Sequence, residues 1–181
     1  MQILDLELKG LKLITPRLFE DARGIFFESY RDSFFRAQGI DVTFVQDNQS
    51  LSKQGTLRGL HFQSSPGQDK LVSCIEGEIW DVAVDLRPFS ETYLSWKAVV
   101  LKDGKQLFIP KGFAHGFCVL SNWARVHYKV SDYYNPETEA SIRWNDPDLN
   151  IRWPVDQPIL SFRDQTSPFL REVNRVTVDY R

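Results

Sequence analysis

Short runs of apolar, β-branched and aromatic residues recur along the chain and are separated by Gly, Pro, Asn or Asp, a pattern typical of strands joined by tight turns. Asp103 and Gly104 lie between two such runs and predict a tight hairpin. Residues 31–38, followed by Gly39, predict a short helix, and a second helix is predicted to begin near Ser161 or to lie in the tail. The apolar runs predict strands at residues 70–76, 78–86, 95–101, 106–109, 113–120 and 125–130.

The order of these elements predicts an all-β jelly roll, an antiparallel sandwich or barrel with few short helices. Strands and helices do not alternate over long stretches, so a doubly wound nucleotide-binding fold is not expected. The 181 residues contain no linker or internal repeat, and we expect one domain over residues 1–181. The polar last stretch, residues 166–181, is predicted to be a loosely ordered C-terminal arm.

Charge and cysteine content narrow the functional classes. Lys and Arg total 22 and Asp and Glu total 24, whereas a non-specific nucleic-acid binder is expected to be basic. Cys74 and Cys118 follow no CxxC pattern and provide no disulfide framework. The N-terminus mixes charged with apolar residues, and no run approaches the roughly 18 apolar residues of a membrane span. We therefore expect a cytoplasmic protein without nucleic-acid or membrane partners.

Alternation along the predicted strands indicates which titratable side chains face the interior. His61, His115 and Tyr128 are predicted to face inward, and His127 outward. A single inward histidine is more often a core residue than a catalyst. Two of them with a tyrosine predict a polar pocket inside the barrel, because buried polar groups cost free energy unless they are paired. Three more polar residues flank this set in the sequence: Arg58, Gln63 and Lys70.

The spacing Gly-x5-Pro-x-Gly-x2-His at residues 104–115 resembles the second motif of the cupin superfamily, with Val119 in place of the usual asparagine. The first cupin motif normally supplies two histidines and a glutamate as metal ligands. Here that stretch is His-Phe-Gln at 61–63, with Gly67 and Gln68 where the glutamate is expected. Only His61 and His115 remain, and a catalytic metal site usually needs about three protein ligands. The resemblance therefore implies a cupin barrel that works without a metal.

Ordered motifs between about residues 10 and 172 allow a more specific comparison. They are FxDxRGxFxE at 19–28, QDNxS at 46–50, LRGLHFQ at 57–63, KLV at 70–72, DVAVDLR at 81–87, IPxGFAHGF at 109–117, YK at 128–129 and YY at 133–134. Together they resemble the dTDP-4-dehydrorhamnose 3,5-epimerase family of the cupin superfamily. The resemblance implies a double-stranded β-helix and conversion of dTDP-4-dehydro-6-deoxy-D-glucose to dTDP-4-dehydro-L-rhamnose without a cofactor.

The chemistry implied by the resemblance removes and returns protons at C3 and C5, on either side of the 4-keto group. A ketone α-proton is less acidic than imidazolium by roughly 12 or more pKa units, or on the order of 16 kcal/mol. A base alone cannot overcome this gap, so the enolate oxygen must be stabilised by a fixed cation or by hydrogen-bond donors. Inversion also requires two proton-carrying groups on opposite faces of the ring.

The resemblance implies a role for each catalytic residue. His61 is the base, Asp164 orients it, Lys70 lies near the 4-keto oxygen, and Tyr128 is the acid on the opposite face. Without the resemblance, Asp164 is better interpreted as an exposed loop acid and Lys70 as a solvated strand end. An inward tyrosine such as Tyr128 is usually a core residue with its hydroxyl bonded.

The remaining implied contacts bind the sugar nucleotide. Arginine suits a pyrophosphate because its planar guanidinium forms bidentate bonds, and Phe26 and Tyr133 are expected to stack on the base. The segment from Arg23 to Glu28 is expected to come from a neighbouring subunit, which implies a homodimer. The full set implied to bind substrate is Arg23, Phe26, Glu28, Gln46, Asp47, Asn48, Arg58, Gln63, His115, Tyr133, Glu139 and Arg163.

Strict alternation places Arg58 and His61 on opposite faces of their strand, yet the resemblance uses both in one cleft. Either a bulge at Gly59 turns one of them, or Arg58 reaches around the barrel rim.

Three functional alternatives also stay open: a metal-dependent cupin, which metal analysis would identify, a non-catalytic sugar-nucleotide binder, and an epimerase that inverts C3 or C5 alone.

Overall fold

The computed structural model describes residues 1–173, which form two packed antiparallel sheets, a separate hairpin and two short helices. The helices are α1 (Asp32–Ala37) and α2 (Phe162–Thr166). The strands are β1 (Gln2–Asp5), β2 (Lys12–Thr15), β3 (Phe19–Asp21), β4 (Gly24–Phe26), β5 (Gln46–Lys53), β6 (Leu57–Gln63), β7 (Lys70–Glu76), β8 (Ile79–Asp85), β9 (Trp96–Leu101), β10 (Gln106–Ile109), β11 (Phe113–Val119), β12 (Trp123–Val130) and β13 (Glu139–Ser141).

The strand order confirms the predicted jelly roll. One sheet has the order β1-β2-β10-β7-β12-β5, the other has the order β13-β6-β11-β8-β9, and β3 pairs with β4 in a hairpin. All six predicted strands and both predicted helices are present, with bounds that differ from the predictions by at most two residues. No helix in the described part of the chain is long and apolar enough to cross a membrane.

The hairpin predicted at Asp103 and Gly104 is wrong. Both residues have positive φ, 54° and 74°, so the tight turn is present. However, β9 pairs with β8 in one sheet, and β10 pairs with β2 and β7 in the other. The turn therefore carries the chain from one sheet to the other, because turn residues determine the local bend and burial of the following strand determines its partner.

The space between the sheets is apolar at one end and polar at the other. On β12, the inward Val126 packs in the apolar core, whereas the partly buried Tyr128 lies at the edge of that core. On β7, Val72 and Cys74 belong to the same core, and Lys70 lies at the end of the strand. The inward-facing side chains of β7 and β12 are therefore apolar in the core and polar beyond it. This polar end of the space between the sheets is where a ligand can be bound.

The C-terminal segment packs on the outer face of the five-stranded sheet. The Asp146 carboxylate is 1% exposed and accepts hydrogen bonds from the backbone N–H groups of Leu149 and Leu170. Arg143 Nε donates to the carbonyl of Ser167 at 2.8 Å. These buried polar partners hold residues 166–173 of the predicted C-terminal arm, and residues 174–181 of that arm lie outside the described chain.

Candidate active site

A cavity of about 320 Å³ lies between the two sheets at the polar end. One wall is formed by β6 and β11 of the five-stranded sheet, and the opposite wall by β5, β7 and β12 of the six-stranded sheet. Its lining residues are Gln46, Asn48, Gln49, Ser50, Arg58, His61, Phe62, Gln63, Gln68, Lys70, His115, Phe117, Tyr128, Tyr134 and Glu139. The structure thus brings together His61, Lys70 and Tyr128, although they are far apart in the sequence.

A bulge at Gly59 explains how Arg58 and His61 line the same cavity. In the pairing of β6 with β11, His61 lies opposite His115 and Arg58 lies opposite Phe117. Three residues along β6 therefore span the same distance as two residues along β11. The one extra residue in β6 reverses the alternation of inward and outward side chains, so that Arg58 and His61 face the same side. This confirms the first of the two alternatives. Gly59 has φ 133°, and a Cβ atom there would lie 2.5 Å from the Cα of Gly116.

Replacing Gly59 with alanine should therefore lower the free energy of unfolding by about 3 kcal/mol, through the positive φ and the backbone clash together. Gly24→Ala is the matched control, because Gly24 has φ 121° but no atom within 4 Å of an added Cβ. We expect the control to lose about 1 kcal/mol, from backbone strain alone. Urea denaturation measures both values, and equal losses would contradict the role assigned to the close contact with β11.

His61 and Asp164 form a hydrogen-bonded pair across the wall of the cavity. The His61 Nε2 lies 2.6 Å from Oδ1 of Asp164, which is only 2% exposed. The interpretation of Asp164 as an exposed loop acid is therefore wrong. Burial on its own would raise the pKa of Asp164, but hydrogen bonds, the strongest of them from His61, outweigh it and lower this pKa. The carboxylate is thus ionised at neutral pH and holds the imidazole in one orientation.

A second histidine–aspartate pair, His115 with Asp81, lies deeper in the same wall. The His115 Nε2 is 2.9 Å and 3.0 Å from the two carboxylate oxygens of Asp81, which is completely buried on β8. Asp81 was not predicted as a site residue. The signal was an acidic residue between apolar residues in the interior of β8, because a buried carboxylate needs a partner. His115 lines the cavity and is held rigidly by this contact.

Lys70 and Tyr128 occupy the wall opposite His61. Lys70 is 9% exposed, and burial lowers its pKa to about 8, although Glu139 and Asp81 act in the opposite direction. It is therefore neither a solvated strand end nor a fully hydrated ammonium. Burial, followed by the charge of Glu139, raises the pKa of Tyr128 above its ordinary value, with Arg58 opposing. The phenol therefore keeps its proton at neutral pH.

Seven residues of the predicted set do not line this cavity. One of the seven is Asp164, which lies behind His61 and contacts the site only through that residue. Arg23 forms an ion pair with Asp21 on the β3–β4 hairpin, and Phe26 on the same hairpin is 73% exposed. Glu28 forms an ion pair with Arg31. These three residues lie on a protruding segment of the chain.

The other three lie near the cavity without lining it. Asp47 alternates with its inward neighbours on β5, and on the outer side its carboxylate forms an ion pair with Lys129 and lies 3.2 Å from Nε2 of His127. Tyr133 is 68% exposed, whereas the next residue, Tyr134, lines the cavity. Arg163 reaches the rim through an ion pair of 2.6 Å with Glu139.

Four polar lining residues outside the predicted set complete the polar surface: Gln49, Ser50, Gln68 and Tyr134. The hydroxyl of Tyr134 donates to the Glu139 carboxylate at 2.9 Å. Ser50 follows Gln46 and Asn48 at intervals of two on β5, and its buried hydroxyl has no hydrogen-bond partner in the described residues. The period-two pattern of polar residues at 46, 48 and 50 was the signal for Ser50, because it marks one face of a strand.

The site has the parts that a proton-transfer enzyme needs. A histidine supported by a carboxylate lies on one wall, and a protonated phenol lies on the other. A buried ammonium lies beside the phenol, on the strand next to it in the same sheet. Cations close to a developing enolate oxygen lower the cost of removing an adjacent carbon-bound proton.

Comparisons with known proteins agree with this geometry. A family model described as dTDP-4-dehydrorhamnose 3,5-epimerase matches residues 5–172. A dTDP-4-dehydrorhamnose 3,5-epimerase from Neisseria gonorrhoeae is 50% identical over 91% of this chain, which spans only 51% of that longer protein. The protein of the same name from Methanothermobacter thermautotrophicus is 48% identical, with 91% of this chain and 92% of that protein covered.

Structural similarity extends over the same length. A crystal structure of a dTDP-6-deoxy-D-glucose-3,5-epimerase from Legionella pneumophila, in complex with dTDP-4-keto-L-rhamnose, superimposes with a TM-score of 0.92. Its sequence is 46% identical, and the match covers 96% of this chain and 94% of that chain. The similarity in sequence and in structure covers nearly the whole chain, so it includes both walls of the cavity. The chain therefore belongs to the dTDP-4-dehydrorhamnose 3,5-epimerase family.

Proposed function

We propose that the cavity converts dTDP-4-dehydro-6-deoxy-D-glucose to dTDP-4-dehydro-L-rhamnose by inverting C3 and C5. The observation that carries this proposal is the placement of His61 and Tyr128 on opposing sheets that line one cavity. Packed sheets lie about 10 Å apart, which leaves room for one pyranose ring between side chains that extend from each sheet. Two proton-carrying groups on opposite faces of a ring are what inversion requires.

The first step is removal of a proton by His61. Its Nε2 is bonded to Asp164, so Nδ1 is the ring nitrogen that accepts the proton from C5 or C3. The electron pair of the broken C–H bond moves into the 4-keto group and forms an enolate. The Lys70 ammonium, which is largely protonated at neutral pH, stabilises the negative charge on that oxygen.

The second step is return of a proton from the opposite face. The Tyr128 hydroxyl donates its proton to the same carbon, the enolate becomes a ketone again, and the configuration is inverted. Before the second carbon is inverted, the resulting phenolate regains a proton and the protonated His61 loses one, each by exchange with solvent. The reaction is redox-neutral, since the 4-keto group that acidifies C3 and C5 is present in both substrate and product.

The nucleotide is proposed to bind at the mouth of the cavity. Arg58, whose Nε donates to Ser52 at 3.1 Å, is positioned to bind the pyrophosphate, and Gln46 and Asn48 to bind the nucleoside. We propose that Glu139 and Arg163 contact the nucleotide at the rim, where they already form an ion pair. The roles of Asp47 and Tyr133 in nucleotide binding stay predictions, and the same is true of the Gln63 and His115 contacts to the sugar.

We further propose a homodimer in which Arg23, Phe26 and Glu28 complete the nucleotide site of the partner subunit. The β3–β4 hairpin supports this, because Phe26 is 73% exposed and Ile25 is 59% exposed on one protruding segment. Clustered exposed apolar residues are typical of interaction surfaces. Light scattering should give twice the chain mass of 21.1 kDa, and a monomer at catalytic concentrations would contradict the shared site.

We also propose that the protein is cytoplasmic. The support is that Cys74 and Cys118 are free and buried, and that burial raises the pKa of each to about 11, which makes both thiols unreactive. Fractionation of expressing cells tests this location.

Incubation with dTDP-4-dehydro-6-deoxy-D-glucose in D2O, followed by NMR spectroscopy, tests the reaction. Deuterium at both C3 and C5, with formation of dTDP-4-dehydro-L-rhamnose, is the expected result. Deuterium and inversion at one carbon only would identify a single-centre epimerase. Tight binding of dTDP without any exchange would identify a binding protein and contradict the proposal.

The charge on Lys70 predicts how activity depends on pH. The pKa of Lys70 is lowered to about 8, so the ammonium loses its proton as the pH rises through this value. Stabilisation of the enolate is then lost, and kcat should decrease above a pH of about 8. In Lys70→Met, kcat should be about a hundredfold lower and this alkaline decrease should be absent. An unchanged alkaline decrease in the variant would assign it to another group.

A further inference from the structure

Ser161 makes two hydrogen bonds to a single residue of the site, Asp164. Ser161 immediately precedes α2, and Asp164 is the third residue of that helix. The backbone N–H of Asp164 donates to the Ser161 Oγ at 3.1 Å, and the same Oγ donates to the Asp164 Oδ2 at 2.7 Å. One hydroxyl therefore caps the helix and also binds the carboxylate that supports His61.

The two oxygens of Asp164 have different partners. Oδ1 contacts the His61 Nε2 at 2.6 Å, whereas Oδ2 accepts from Ser161. Rotation of the carboxylate about its Cβ–Cγ bond would break both contacts at once. Asp164 is 2% exposed, so its carboxylate has little direct contact with solvent. The orientation of the imidazole thus depends on a hydrogen bond that does not involve His61 itself.

We propose that Ser161 is a positioning residue for proton transfer, which fixes the Asp164 carboxylate and, through it, the His61 ring. This inference rests on the proposed function, because it takes His61 as the base. Ser161 is exposed to solvent, so its replacement leaves no cavity in the core. Its effect on the reaction is therefore transmitted through Asp164 rather than through a general loss of packing.

The test compares Ser161→Ala with Ser161→Thr in steady-state epimerisation. The alanine variant should have a kcat about tenfold lower than the wild type, with KM changed less than about twofold, since a hydrogen bond to a charged group is lost without any contact to substrate. Threonine retains a hydroxyl that caps a helix and donates, so it should restore kcat to within about twofold of the wild type. Ser161→Gly replaces the alanine variant if that variant does not fold, because glycine is tolerated at a helix N-cap.

Thr166→Ala is the matched control, because Thr166 is exposed at the other end of α2 and its hydroxyl donates to the carbonyl of Phe162 at 2.9 Å. It removes a hydroxyl from the same helix without touching Asp164, and its kcat should equal that of the wild type. A wild-type kcat in Ser161→Ala, or an equal decrease in Thr166→Ala, would overturn the positioning role. Absence of any exchange in the wild-type protein would instead contradict the proposed function itself.

Discussion

Replacement of His61 with alanine should reduce deuterium incorporation at C3 and C5 by about a thousandfold, while the affinity for dTDP stays the same. A positioned general base contributes about 10²–10⁴-fold, and no other histidine is proposed to take a proton from the substrate carbons. His115 lines the same cavity and is likewise bonded through Nε2 to a buried aspartate, Asp81, but it is proposed to contact the sugar rather than to transfer a proton. Proton exchange measured by NMR in D2O separates loss of chemistry from loss of binding.

His127→Ala is the control for this variant. His127 is also partly exposed and also bonded to an aspartate, Asp47, but it lies outside the active-site cavity. Its removal should leave the exchange rate unchanged. If His61→Ala exchanges deuterium at the wild-type rate, another group is the base and the assignment of His61 is wrong.

Replacement of Tyr128 with phenylalanine should separate proton exchange from inversion. His61 remains able to remove and return a proton on its own face, so deuterium should still appear at C5 and C3. Inversion needs the acid on the opposite face, and formation of the L-sugar should fall by about 10²–10³-fold. The burial that raises the pKa of Tyr128 keeps it protonated, which is the form this role requires.

Tyr30→Phe provides the corresponding control, since the Tyr30 hydroxyl donates to Asp32 at 3.3 Å, outside the active-site cavity. We expect its product ratio to match that of the wild type. Formation of the L-sugar at the normal rate in Tyr128→Phe would show that the opposite face is protonated by another group or by water.

Alternation of apolar and polar residues predicted the part of the fold that positions the site. The strand at 70–76 was predicted with its observed bounds, and the inward positions of His115 and Tyr128 follow from period-two patterns. The same rule failed at Asp103 and Gly104, where the turn is local but the pairing of the next strand is not. Short-range patterns determine which side of a strand a residue occupies, and tertiary packing determines which strand lies beside it.

The site itself required information that no single strand contains. Asp164 follows His61 by 103 residues, and its contact became an expectation only through the family resemblance. Arg58 could not be assigned to a face, because the bulge at Gly59 depends on close packing against Gly116 of another strand. Asp81 was not predicted for a similar reason: its signal was a charge between apolar residues of β8, and its partner, His115, lies on the adjacent β11.

In the proposed mechanism, an imidazole and a phenol approach one hexose from opposite faces. A crystal structure with an unreactive dTDP-linked 6-deoxyhexose bound tests this claim most directly. We expect C5 of the sugar to lie between the His61 ring and the Tyr128 hydroxyl, each within about 3.5 Å of the carbon, with the Lys70 ammonium beside the oxygen at C4. Both side chains on the same face of the ring, or a hexose bound outside the cavity, would contradict it.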